Sequence, residues 1–477
     1  MHNSSLRFFL RPASRVILAS VAVALFVVIA GCGGHNDVVA PPTPTPGTTS
    51  AQVRIGDAAA DRVLFFSFKV GSPLTLTTTG GDKVVYDIGN NRWELTHMAG
   101  KFEPLSVSDL RQGSYSSVDL VVVSPGMVYL DKNGVPQGLL GNPSQNVTVN
   151  FSPTLTIGST PLILNMDVNL ANALATDANG FVTGFDFKSS SFAFSTKSIA
   201  AENEQQDDSG EFEGTTGKVT IVSGSTFTME VGQGNTEMLF TTDGNTQFSD
   251  GVTNVASTLN KIVKVEGVTK ADGTLYAKEV EGMENQSGGT VEGLITSTPS
   301  TAFQLELQDG NGNGMDPTKV GMLFDIDISA LNASDFTIDY GKCDKAGLTV
   351  PGPLFPFDAS HLHAGQRVEV ETVNPVPAGN GTITANRVRL QQQALTGTVS
   401  NFVAGQNGAA TFDLNLPTDG SSYMAQMLAA NIFHVYQQPG THNTFGAISN
   451  GSKLRVRGLL FYTAPGYNMI ARRITLP

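Results

Sequence analysis

The sequence predicts an all-β protein, with a β-sandwich-like domain followed by three small β-barrel repeats. Three observations carry this expectation. From residue 53 to about residue 200, apolar and polar side chains alternate with the two-residue period of half-buried strands. Beyond residue 213, one set of strand landmarks recurs three times. Gly, Ser, Thr and Asn are abundant while charged residues make up only 15%, which suits short strands joined by many turns. An apolar content of 40% is enough to build real cores.

The first element, residues 1–31, reads as an export signal. Arg7, Arg11 and Arg15 stand there without an acidic residue, and residues 16–30 are an unbroken run of apolar and small side chains. That run is too short to cross about 30 Å of hydrocarbon, which takes roughly 20 residues. It ends in Val28-Ile29-Ala30-Gly31-Cys32, which resembles the lipobox of bacterial lipoproteins. The resemblance implies a diacylglycerol thioether on Cys32, cleavage before it, and a third acyl chain on the freed amine. Two or three chains hold a protein to a bilayer where one does not, since each buried methylene adds about 0.8 kcal/mol. Gly33 stands where an inner-membrane retention signal of enteric bacteria has aspartate, so the resemblance favours the outer membrane. The expected setting is the bacterial cell envelope, with the membrane as a partner through the lipid anchor.

Charge and cysteine content narrow the expectations further. The chain has 29 basic and 42 acidic side chains, a formal charge of −13. Loss of residues 1–31 removes three arginines and no acid, which leaves 26 against 42, or −16. Such a surface repels phosphate backbones, so nucleic acid is not expected as a partner. With Cys32 lipidated, Cys343 is the only other cysteine and no intrachain disulfide forms. Cys343 reads as a small buried hydrophobe, because a catalytic thiol needs a neighbouring base that the sequence does not identify.

Residues 32–51 form the second element. Pro41-Pro42-Thr43-Pro44-Thr45-Pro46 favours extended polyproline II, about 3.1 Å per residue, and so a semi-rigid tether. The third, residues 52–200, is the sandwich-like domain. Residues 63–70 and 118–123 are apolar runs, and Asn133-Gly134 marks a hairpin. Val147, Val149 and Phe151 alternate with polar neighbours, as do Leu162, Leu164 and Met166. A short helix is expected around residues 170–175. Val53-Arg54-Ile55-Gly56-Asp57-Ala58, Leu110-Arg111-Gln112-Gly113-Ser114-Tyr115 and Leu164-Asn165-Met166-Asp167-Val168 resemble the domain of unknown function 4382 family of bacterial lipoproteins. Ala59 departs from the proline common there, and the family brings no established activity. Asp57, Gly113, Tyr115 and Asp167 are expected to serve as turn, tight corner, packed aromatic and strand-end cap. Residues 201–213 are acidic and nearly without apolar side chains, hence an expected linker.

The remaining elements are repeats at 214–286, 287–392 and 393–477. Val263-Lys-Val265-Glu-Gly267 corresponds to Val368-Glu-Val370-Glu-Thr372 and to Leu454-Arg-Val456-Arg-Gly458. Each is followed by an alanine that opens a strand (Ala277, Ala385, Ala471) and preceded by a glycine in another (Gly217, Gly293, Gly397). The unit resembles the family called domain of unknown function 5666, which often occurs in tandem. Five strands per copy suit an OB-like barrel.

No familiar catalytic signature is present, and isolated histidines such as His97, His434 and His442 read as ordinary surface or core residues. The second repeat carries an insertion. From Gly293 to Gly365 is 72 residues, against 43 from Gly217 to Asn260 and 54 from Gly397 to Gly451. Within it, Asp309, Asn311, Asn313 and Asp316, with Gly314 at the sixth position, match the first half of a calcium loop. The expected bidentate glutamate is replaced by Val320, so a Gly-Asn loop joining two strands is the favoured reading and Ca2+ the weaker one. In a strand His361 and His363 would face one side, an arrangement a zinc or copper site can use, but two ligands are not a site and no spacing selects Asp358 or Cys343 as a third, so strand-end polar residues are the favoured reading. The sequence therefore leads to a non-enzymatic lipoprotein with a binding or envelope-structural role and an envelope protein or polysaccharide partner. The alternatives are an envelope hydrolase acting on polysaccharide or peptide, and a calcium-stabilised adhesion or matrix protein.

Overall fold

The alternating pattern produces strands almost throughout. The computed structural model describes residues 47–477, apart from 59–60, 89–91, 97–101, 143, 200–210, 232–235, 271, 284–288, 298–300, 313–320, 340–354, 378–380 and 429. The signal, Cys32, the proline-rich run and most of the acidic segment lie outside the described residues.

Among the described residues the first domain holds β1 (Thr48–Ala58), β2 (Val63–Thr78), β3 (Lys83–Tyr86), β4 (Arg92–Glu94), β5 (Phe102–Arg111) and β6 (Gly113–Leu130). It continues with β7 (Pro136–Leu140), β8 (Ser144–Ile157), β9 (Leu162–Asn169), β10 (Leu174–Thr176), β11 (Val182–Phe185) and β12 (Phe192–Ser198). One sheet has the order β12-β9-β1-β5, and the other β3-β2-β6-β7 with β4 also on β2 and β8 on β6. Aromatic side chains fill the space between them. Phe68 meets Phe192 edge-on at 6.2 Å, and Phe66 meets Phe187 at 6.0 Å, a geometry worth about 0.5–1.5 kcal/mol per pair beyond burial.

The Asn133-Gly134 hairpin joins β6 to β7. Gly134 takes φ +75°, and Asp131 Oδ1 accepts the amides of Asn133 and Val135. The expected helix is Leu170–Ala173, α1, with the Asn169 side chain accepting the Asn172 amide as its N-cap. Tyr115 is fully buried, its hydroxyl donating to the Arg111 carbonyl at 2.5 Å, and Gly113 takes φ +153°. Two expectations in this domain are corrected. Asp57 is no turn residue, because its backbone pairs with Val168 as β1 runs beside β9. Asp167 is no strand-end cap, because it sits within β9 between Gly56 and Ala193.

The first barrel is built from β13 (Glu211–Ser223), β14 (Thr226–Val231), β15 (Thr236–Thr241), β16 (Gln247–Ser249), β17 (Ile262–Thr269) and β18 (Leu275–Gly282). The second holds β19 (Gly289–Ser297), β20 (Ala302–Gly312), β21 (Leu323–Asp327), β22 (Phe336–Ile338), β23 (Arg367–Thr372) and β24 (Thr382–Leu390). The third holds β25 (Gln392–Ala404), β26 (Ala410–Asn415), β27 (Ile432–Asn443), β28 (Lys453–Thr463) and β29 (Gly466–Thr475), with α2 (Tyr423–Leu428) between β26 and β27. Each closes on five strands through a parallel pair, β15 with β18, β21 with β24 and β27 with β29. This bears out the all-β, OB-like expectation.

The sequence landmarks mark where the strands bend to close. A Cβ on Gly217, Gly293 or Gly397 would lie 2.1, 2.0 or 2.7 Å from a carbonyl oxygen of the next strand, so only glycine lets the backbones approach. Gly267, Thr372 and Gly458 pair with Ala277, Ala385 and Ala471, each pair at a register shift in the same place. The bulge turns the strand around the barrel. The acidic segment does not remain a linker to residue 213. Glu211 opens β13, and Phe212, 1% exposed, meets Phe240 edge-on at 5.8 Å.

The described domains pack together, and Pro46–Pro477 forms one compact unit. The hydrophobic clusters ignore the domain boundaries. One joins Leu64, Phe65 and Val128 of the sandwich to Leu294 and the third barrel core, and another joins the second barrel to Leu459, Phe461 and Ile470 of the third. Ion pairs add direction. Lys264 of the first barrel bonds Asp339 of the second at 2.8 Å, and Arg389 of the second barrel reaches Asp250 at 2.9 Å and also Glu281 of the first.

Candidate functional site

Every barrel strand points alternate residues outward, so the first three strands of each barrel present a sheet face of predictable positions. The three copies use that face differently. In the second barrel it turns into the protein, and Glu306 and Gln308 are 0 and 3% exposed. In the first it carries Lys218, Glu230 and Glu237 beside Ile221 and Leu239, both aliphatic side chains more than half exposed.

In the third barrel the face stays open and combines hydrogen-bonding groups with an aromatic ring. Strand register aligns Ser400, Asp413 and His434 in one row across β25, β26 and β27. The next row is Thr398, Asn415 and Ile432, and the row on the other side ends on Thr411 and Tyr436. Asp413 Oδ1 pairs with His434 Nδ1 at 2.8 Å, while its Oδ2 accepts from Asn401 Nδ2 at 2.7 Å. Asn415 Nδ2 donates to Ser400 Oγ at 2.7 Å. The His434 ring meets Tyr436 edge-on at 4.8 Å, and its side chain is 41% exposed. Burial pushes the Asp413 carboxyl upward, but the bonds from His434 and Asn401 outweigh it and hold it below the usual carboxylate range. A charged carboxylate fixes the Nδ1–H tautomer, so Nε2 faces outward as an acceptor. This face can orient a ligand that offers a donor to Nε2 and an apolar edge to Tyr436.

Sequence reading set His434 aside as an isolated histidine. The signal was present in the alternation of Asp413 and Asn415 with buried Phe412 and Leu414, and of His434 and Tyr436 with buried Phe433 and Val435. What was missing was the register that sets Asp413 opposite His434.

The insertion of the second repeat resolves differently from the other expected sites. Asp309 and Asn311 lie in β20, their backbones paired with Glu292 and Thr290 of β19. Asn313 and Asp316 lie outside the described residues, as do Cys343 and His97. His361 and His363 are not on a strand but in a turn. His361 Nδ1 pairs with Asp358 Oδ1 at 2.8 Å. His363 stacks on Tyr462 at 3.8 Å and bonds the Tyr467 hydroxyl at 2.6 Å. The two imidazoles therefore have separate partners. Among the described residues no three His, Cys, Asp or Glu side chains come together in a way that could hold a metal ion.

Comparison with known proteins adds little about chemistry. No curated protein matches the chain. Two solved structures are similar in part. One is a deletion mutant of the single-stranded DNA-binding protein from Thermus aquaticus, at 13% identity and TM-score 0.15, covering 40% of this chain and 93% of that one. The other is drosophila Unr CSD456, at 7% identity and TM-score 0.12, covering 55% of this chain and 97% of that one. The expected partner set, an envelope protein or polysaccharide with nucleic acid excluded, is corrected. Net charge alone does not rule nucleic acid out, because attraction to phosphate follows the charge of the local face. At those TM-scores neither structure argues for what this chain binds. Residues 216–281, the first barrel, match the family described as Domain of unknown function (DUF5666).

Proposed function

We propose that the chain is a lipid-anchored extracytoplasmic protein with a non-catalytic binding or envelope-structural role, and that the outer face of the third barrel is its contact surface. The observation that carries this reading is the open row of Ser400, Asp413 and His434 beside Tyr436, on the face that the second barrel buries. Fixed polar groups around an aromatic edge orient a ligand at low entropic cost, since their rotamers are already set by mutual hydrogen bonds. The anchor part rests on residues 1–31 and Cys32, with the proline-rich run as spacer. The resemblance of the first domain to the domain of unknown function 4382 family accords with export and brings no activity.

The test is in-cell photo-cross-linking from position 432, where Ile432 is 53% exposed, with position 135 on the sandwich hairpin, where Val135 is 49% exposed, as control. A discrete adduct from 432, absent from 135 and lost with His434→Ala, supports the reading. Equal adducts from both positions remove it. Turnover of any envelope substrate abolished by His434→Ala replaces it with a catalytic one. Cys32→Ala is expected to release the protein from the membrane fraction; normal processing and retention in that variant would end the anchor assignment.

A further inference from the structure

We propose that Glu306 is a proton-dependent latch at the junction where the sandwich, the second barrel and the third barrel meet. When it carries its proton, the three domains close on one another; when it ionises, the junction loosens.

The geometry begins with Glu94, at the end of β4 in the sandwich. Its Oε1 accepts the Thr96 amide at 2.8 Å, the Phe66 amide at 3.3 Å and the Thr96 hydroxyl. Donors gathered on one carboxylate oxygen favour its charged form. Glu306, on β20 of the second barrel, is fully buried and near enough to feel that charge. Neither of its oxygens has a partner of hydrogen-bond geometry among the described residues, although Gln308 sits beside it. Gln308 Nε2 donates to the Leu64 carbonyl of the sandwich at 2.5 Å.

The remaining groups around this point do not neutralise a second carboxylate. Arg367, on β23, spends its Nε on Glu292 of β19 at 2.6 Å. Tyr423 of α2 comes from the third barrel side, and its amide bonds the Asp61 carbonyl of the sandwich. Burial first, then the Asp61, Glu306 and Glu94 charges, raise the pKa of the Tyr423 hydroxyl against the opposing Arg367 charge. So one arginine serves Glu292, Glu94 and Glu306, and the carboxyl shut off from solvent with the weakest hydrogen bonding is the one that keeps its proton. Burial first, then Glu94, push the Glu306 carboxyl well above the usual range, against the smaller opposing effects of Gln308 and Arg367. Two carboxylates sharing one site behave this way generally.

The sign follows from linkage. A carboxyl whose folded pKa is raised stabilises the closed junction fully below its unfolded value of 4.5, and that stability is lost as pH rises toward the folded value. Within that window the open-to-closed ratio grows by up to about tenfold per pH unit. The element released is the outer face of the second barrel, the counterpart of the open face on the third.

The test uses the full chain. Hydrogen exchange, corrected for its intrinsic pH dependence, is followed at the Phe66, Thr96 and Tyr423 amides from pH 5 to 8, with Val265 in the first barrel core as control. Emission of Trp93, the chain's one tryptophan and the neighbour of Glu94, is read in parallel. Asp61 and Glu369 titrate in the same span, so the result is the difference between wild type and Glu306→Gln. Protection at the three junction amides is expected to fall with pH more steeply in wild type than in Glu306→Gln, with Val265 the same in the two proteins. Glu94→Gln gives a second reading, in which the loss levels off at lower pH because the repelling charge is gone. Parallel profiles in wild type and Glu306→Gln overturn the proposal. So does an unmoved profile in Glu94→Gln, or an equal loss of protection at Val265.

Discussion

Removing the Asp339 carboxylate tests whether the barrels are bound into one unit. Lys264 Nζ lies 2.8 Å from Asp339 Oδ2, with the two side chains only 13 and 16% exposed. At an effective dielectric constant of about 20, that separation corresponds to a gross attraction of about 6 kcal/mol. Most of this offsets the cost of taking both charges out of water, so the pair itself contributes little net stability. Asp339→Ala is different, because it leaves a buried ammonium behind, which costs about 3–5 kcal/mol when nothing compensates. Burial works against the Lys264 charge, yet Asp339, Glu266 and Glu369 together hold its pKa above the ordinary lysine value. Two of those three remain in the variant, so the expected loss is about 2–4 kcal/mol. Replacing both partners, Lys264→Met with Asp339→Leu, should return to within about 1 kcal/mol of wild type. Urea unfolding is followed by circular dichroism and by Trp93 emission, which reports the sandwich. If the domains unfold together, both signals shift by the same amount. An Asp339→Ala protein within about 0.5 kcal/mol of wild type would mean that the Lys264 ammonium is not held by Asp339 in a buried site, and a shift in circular dichroism without one at Trp93 refutes the single unit.

Three further outcomes are expected. Gly293→Ala places a Cβ 2.0 Å from the Glu306 carbonyl oxygen, so it should lower stability by about 1–3 kcal/mol through forced strand separation, whereas Gly440→Ala, with open space around it, should be near neutral in the same denaturation series. Burial raises the Asp61 carboxyl to about 6, against the Arg455 charge and the Thr396 hydrogen bonds. Its contribution is therefore full below the unfolded value of 3.8 and lost as pH climbs toward 6; Asp61→Asn should remove about 1–3 kcal/mol of pH dependence, allowing for its partial exposure, and unchanged melting profiles from pH 4 to 7 would contradict this. Melting with and without millimolar Ca2+ should give one curve, because the Asp309 and Asn311 backbones are engaged in a hairpin; a calcium-dependent rise abolished by Asp309→Ala would establish the ion instead.

Much of the fold was legible because strand period and closure leave local marks. The glycine that opens each repeat and the alanine after each fourth strand could be aligned by eye, and each sits where a backbone crosses closely or a bulge turns the ladder. Phe212 shows the limit of composition: one aromatic in an acidic stretch was enough to draw the chain into a core. Asp167 shows the limit of resemblance, since a short motif gives no pairing partner. The helix at Tyr423–Leu428 escaped notice because six residues between turns carry almost no period. The junction around Glu94 and Glu306 was invisible for a simpler reason. Its members are separated by hundreds of residues, and a glutamate in an alternating strand reads as a solvent-facing position until another domain covers it.

The central claim is that the third barrel face meets a ligand while the rest of the chain holds it in place. The most direct measurement is the hydrogen-exchange footprint of the anchored protein in isolated envelopes against the purified protein. Added protection is expected across β25, β26 and β27 around Ser400, Asp413 and His434, lost in His434→Ala. Protection elsewhere with that face unchanged would contradict it.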